Sequence, residues 1–131
     1  MRDLRERTKR FALDIIRFCA TLPAGQEFRI VSGQLIRAGT SVGANYRAVC
    51  RARSKPDFIN KLSVVEEEAD ESGYWLELLQ CLLEPNAELL RLKNEASELT
   101  AIMVQSKKTA RANERSPRPH STFETRNSKF V

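Results

Sequence analysis

Apolar residues recur in alternating steps of three and four along most of this 131-residue chain, and that period admits little besides packed helices. Leu4, Thr8, Phe11, Ile15, Phe18 and Leu22 hold the step until Pro23, which cannot continue a helix. After the linker PAGQE the step resumes with Val31, Leu35, Ala38, Val42, Asn45, Val49 and Ala52. A third run carries Phe58, Leu62, Val65, Ala69, Ser72, Leu76, Leu79 and Leu83, and a fourth Leu89, Leu92, Ala96, Leu99, Met103, Ser106 and Ala110. Ser54-Lys55-Pro56-Asp57 reads as an N-terminal cap, and Glu84-Pro85-Asn86 as a turn ending in a second cap, Asn86. Short connections make neighbours antiparallel, so the expected fold is all-α, an antiparallel up-and-down four-helix bundle over residues 1–112. The fourth helix is expected to fade near Asn113, and SPRPHSTFETRNSKFV has no period, so residues 113–131 read as a disordered basic tail.

Two features of this pattern ask for a partner. Gly33, Gly39 and Gly43 each cost the second helix about 1 kcal/mol relative to Ala. Gly39 and Gly43 lie one turn apart, where another helix backbone could come close; a kink near Gly39 is the alternative. The third helix ends in YWLELLQCLL, apolar nearly all round, and Trp75, Leu78 and Leu82 form a second stripe beside the first. One small core cannot cover both stripes, so these three residues are expected at an interface between subunits of a homo-oligomer. Asn45, a polar residue on the second stripe, reads as a buried amide that fixes helix register.

The residue inventory argues against an enzyme. His120 is the only histidine, so neither a Ser-His nor a Cys-His pair can form in the body. The cluster Glu66, Glu67, Glu68, Asp70 and Glu71 lacks the histidine partners of a bundle metal site and reads as a solvated or salt-bridging face. The glycines sit inside a helical pattern and offer no phosphate cradle between a strand and a helix. Three cysteines, Cys19, Cys50 and Cys81, are too few and too widely spaced for a disulfide framework or a zinc site. Cys50 has basic neighbours that could lower a thiol pKa, but it reads as a packing residue. Catalytic residues, metals and cofactors are therefore not expected. No apolar run is long enough to span a membrane, and the start is too charged for a secretory signal, so a cytoplasmic protein is expected.

Charge supplies the positive signal. Residues 1–61 carry 13 basic and 5 acidic side chains, residues 62–106 carry 2 and 10, and residues 107–131 carry 7 and 2, which leaves the body neutral but polarised along the chain. Arg47, Arg51 and Lys55 recur every four residues, Arg2, Arg5 and Lys9 line one side of the first helix, and Lys107, Lys108, Arg111, Arg115 and Arg118 run into the tail. Such stripes are the footprint of a phosphate-backbone binder, with RNA or DNA as partner. The competing reading has the body cations pairing with the acidic third helix. On the first helix, Arg10, Asp14 and Arg17 are spaced to pair on the solvent face.

The run RAGTSVGANYRAVCRARSKPDFINKLSVVEEEADESGYWLELL, from Arg37 to Leu79, closely resembles the small helical proteins named after the open reading frame in intervening sequences of 23S ribosomal RNA genes. RTKRFALDII and the KTAR of Lys108 to Arg111 extend the resemblance over roughly residues 4–112. Ala48 departs from it, where relatives often carry Glu. The resemblance implies an up-and-down bundle assembling as a homopentamer, with no established activity. It also implies kinship with the accessory variability determinant proteins of retroelements, basic pentamers that bind a reverse transcriptase and nucleic acid. Two functions are thus expected to compete: RNA-favouring binding without base readout, and a scaffold docking a polymerase-type protein.

Overall fold

A computed structural model describes residues 3–115, with side chains as far as Asn113. The described chain forms α1 (Leu4–Cys19), α2 (Gln26–Val49), α3 (Lys55–Leu82) and α4 (Ala87–Arg115). The expected bundle is the observed one: each helix packs on its neighbours in chain order, and α4 closes the ring against α1. The tail lies outside the described residues from Ser116 onward.

Local signals start each helix. Asp3 caps α1 through the Arg5 amide at 3.0 Å. Ser54 accepts from the Asp57 amide at 3.1 Å, while Asp57 accepts from the Arg53 amide at 3.0 Å, so two otherwise unpaired donors at the start of α3 are satisfied. Asn86 Oδ1 accepts from the Leu89 amide at 2.9 Å and opens α4. Helix α1 stops at Cys19, before Pro23, and the chain re-enters helix at Gly25, whose φ of +144° suits a residue without Cβ. Helix α4 continues two residues beyond Asn113, to Arg115.

Helix α2 runs unbroken through its three glycines, and two of them explain why. A Cβ at Gly39 would stand 3.1 Å from the Ile15 side chain, and one at Gly43 3.3 Å from the Thr8 carbonyl oxygen. Both contacts are with α1. Thr8 is fully buried there, yet its hydroxyl donates to the Leu4 carbonyl at 2.8 Å, so nothing polar is stranded. Gly33 has open space around it.

The core is one apolar cluster fed by all four helices, with Phe11, Ile15, Leu35, Phe58, Leu62, Leu76, Leu92, Leu99 and Met103 almost wholly enclosed. The α2 stripe differs from its sequence reading. Tyr46 is 1% exposed and takes the buried position, while Asn45 is half-buried and donates Nδ2 to the Ser41 carbonyl of its own helix at 2.8 Å. Asn45 is thus half-buried and not the buried amide expected of it, and its hydrogen bond stays within α2. Tyr46 lies seven residues before Arg53, near the end of the bundle, and its hydroxyl is buried with no hydrogen-bond partner. Burial pushes its phenol pKa above the usual range. An enclosed hydroxyl without a partner costs its lost hydration, so Tyr46→Phe is expected to leave stability unchanged or raise it by up to about 1 kcal/mol in urea unfolding.

Candidate nucleic-acid interface

The antiparallel order brings separate stretches of sequence to one end of the bundle: the start of α1, the end of α2, the start of α3 and the end of α4. Residues 3–9, 47–61 and 107–113 at this pole carry eleven basic and three acidic side chains. Residues 14–30 and 75–91, towards the opposite end, carry three basic and five acidic ones. The molecule is thus electrically polar along its length.

The expected site residues divide on inspection. Arg47, Arg51, Lys108 and Arg111 are exposed at the basic pole, and Lys55 is half-buried at the first position of α3. Lys107 does not belong with them. Its ammonium lies 2.7 Å from Glu66 and 3.0 Å from the Ser63 hydroxyl, with the side chain only 15% exposed, so it is neutralised between α4 and α3. The side chain of Arg115 lies outside the described residues. Arg5 and Lys9 of α1 face Arg47 of α2 across a groove of about 520 Å³ floored by Ala12, Gly43 and Ala44, with Asp3 and Glu6 also on its rim. The glycine that lets the helices meet thus also shapes the groove.

Ion pairing accounts for much of the remaining charge. Arg7 reaches Glu95 at 2.7 Å and Glu98 at 2.6 Å, tying α1 to α4. Arg37 pairs with Glu68 and Glu71, tying α2 to α3. The Trp75 indole and the Arg37 guanidinium together hold the Glu71 carboxyl below its usual range. Asp14 lies 2.9 Å from Arg91 of α4 and 3.8 Å from Arg17, so its closer partner is on another helix. The acidic cluster of α3 therefore splits: Glu66, Glu68 and Glu71 are paired, whereas Glu67 and Asp70 face outward.

A second groove, of about 480 Å³, runs between α3 and α4. Ala69, Gly73, Ala96, Ser97 and Ala101 line it, with Asp70, Glu77 and the half-exposed Tyr74 along its edge. The sequence reading passed over it, although small residues at spacings of four, Ala69 to Gly73 and Ala96 to Thr100, were the available signal. On the expected subunit face, Leu82 is 49% exposed, while Trp75 and Leu78 are half-buried, Trp75 packing on the core.

Two of the cysteines are held as thiols by their surroundings. Burial pushes the Cys19 thiol up to about 11, and burial outweighs the pull of Arg5 and Arg51 to push Cys50 up as well. At pH 8 roughly one Cys19 in a thousand is then a thiolate, and alkylation rates follow thiolate and access. Iodoacetamide is expected to label exposed Cys81 first and Cys19 last, which peptide mass spectrometry resolves. Among the described residues, no group of three or more His, Cys, Asp or Glu could hold a metal ion, and no helix is long and apolar enough to cross a membrane.

Fold, polarity and grooves define a small helical-bundle protein with a cationic end. The profile of the family described as 23S rRNA-intervening sequence protein matches residues 3–105, and the chain belongs to that family. None of the curated proteins matches it. A solved structure similar to it is a protein of unknown function from the S23 ribosomal protein family of Bacteroides thetaiotaomicron. The two are 33% identical with a TM-score of 0.74, over 81% of this chain and 99% of that one.

Proposed function

We propose that this protein is a non-enzymatic, oligomeric binder of nucleic acid, RNA above DNA, that grips phosphates with its basic pole and does not read bases. The observation that carries this reading is the convergence of Arg5, Lys9, Arg47, Arg51, Lys108 and Arg111 on one end of the bundle while Glu66, Glu68 and Glu71 of α3 pair internally. A cationic end facing a polyanion releases condensed counterions, which gives affinity without sequence preference. Replacing Arg47, Arg51, Lys108 and Arg111 by Gln is expected to flatten the log–log salt dependence of RNA binding by about 0.7 per lost contact on single strands or 0.9 on duplex. Lys107→Gln, in contrast, is expected to weaken folding more than binding, because it strands Glu66. Equal affinity and slope in the fourfold variant and the parent would remove the pole from any binding role.

A second reading, a scaffold that docks a polymerase-type protein, is favoured by the α3–α4 groove with Tyr74 on its edge. A half-exposed tyrosine beside a floor of small residues suits a protein contact. Tyr74→Ala would then abolish capture of that partner and spare RNA retention. Self-association rests on Leu82, Leu78 and Trp75: Leu78→Lys with Leu82→Lys is expected to lower the mass in solution, read by light scattering.

A further inference from the structure

Resting on the nucleic-acid reading above, we infer that the basic pole engages both phosphate rows of a double helix and discriminates against a single strand. The cations do not form a line. Arg5 and Lys9 of α1 and Arg47 of α2 surround the α1–α2 groove, whereas Lys108 and Arg111 stand exposed on α4, which neighbours α1 and lies diagonally across the ring from the helix that carries Arg47. Neighbouring helix axes sit about 8–10 Å apart, so the diagonal axes that carry Arg47 and the α4 cations are about 11–14 Å apart before side chains extend outward. That separation compares with the roughly 12 Å between the phosphate rows bounding a B-form major groove. A-form RNA likewise presents two rows, across its wide, shallow minor groove. A single strand offers one row and reaches one flank at a time.

Among the described residues the pole shows no exposed ring of the kind a single-strand binder uses. Base stacking on exposed rings supplies about 1–3 kcal/mol per base in such proteins. Among the described residues the rings near this end, Phe11, Tyr46 and Phe58, are no more than 1% exposed, and Tyr74 and Trp75 lie in the half of α3 leading to the other end. Charge remains as the source of affinity, and a duplex carries one charge per about 1.7 Å against 3.4 Å for one strand.

The test is fluorescence anisotropy of the full-length protein with a 20-base-pair RNA duplex, the matching DNA duplex and each component strand, between 50 and 200 mM salt. Both duplexes are expected to bind at least about tenfold more tightly than their strands at 50 mM, with steeper salt slopes. Lys108→Gln with Arg111→Gln should flatten the duplex slope by about 1.8 and the strand slope by no more than about 1.4, the strand still binding through the other flank. A strand bound as tightly as its duplex overturns the inference and leaves the nucleic-acid reading standing. If neither binds at 50 mM, that reading falls and the inference with it. Phe123 and Phe130 lie outside the described residues, so the measurement is repeated with both changed to Ala; a preference lost in that variant assigns it to those rings and overturns the inference.

Discussion

Gly43→Val is expected to destabilise the bundle by about 1–3 kcal/mol, and Gly33→Ala, ten residues earlier on the same helix, to stabilise it by about 0.5–1 kcal/mol. The opposite signs come from surroundings and not from helix propensity. A Cβ at Gly43 meets the Thr8 carbonyl oxygen at 3.3 Å, and backbone can yield only if α1 moves as a whole. The two γ-methyls of Val worsen the contact. At Gly33 nothing lies within 4 Å, so a methyl only narrows the unfolded ensemble. Urea unfolding of both variants checks the contrast. A Gly43→Val protein as stable as the parent would show that the two helices do not meet as described. The same substitution fills the floor of the Arg5–Arg47 groove, so it should also weaken RNA binding in whatever fraction stays folded.

Phe11→Ala is expected to cost about 3–5 kcal/mol, the largest loss foreseen for a single substitution. The ring is 1% exposed on α1 and belongs to the cluster shared by all four helices, so its removal leaves a void that the glycine-tight α1–α2 contact keeps from collapsing. Against a typical total of about 5–15 kcal/mol this is about a fifth or more of the stability. At roughly 4 °C per kcal/mol the melting temperature should fall by about 12–20 °C. Phe11→Leu should recover most of it. If Phe11→Ala melts within a few degrees of the parent, the core is not packed around that ring.

The parts legible in advance were those governed by near neighbours in sequence. Ser54 and Asn86 cap helices because a side-chain oxygen three residues before a free amide is well placed wherever the chain folds. The stripes on α1, α3 and α4 followed from the helical period, since residues three and four apart share a face. Gly39 and Gly43 were readable as a close approach because a helix bears two such costs only where backbone proximity is gained.

Beyond that, rotation and pairing decided. Both Asn45 and Tyr46 lie within the span of a buried stripe, and only the angle at which α2 faces α1 and α3 selects Tyr46 for the interior. Lys107 and Lys108 are equivalent as text, yet one points at Glu66, 41 positions away in sequence, and is neutralised, while the other meets solvent. Asp14 found Arg91, not Arg10, for the same reason. The basic pole is the clearest case. Its cations occupy three separate stretches of sequence, and nothing local says that they share an end of the molecule. The antiparallel return of each helix brings them together, because helix ends distant along the chain become neighbours once the turns between them are short.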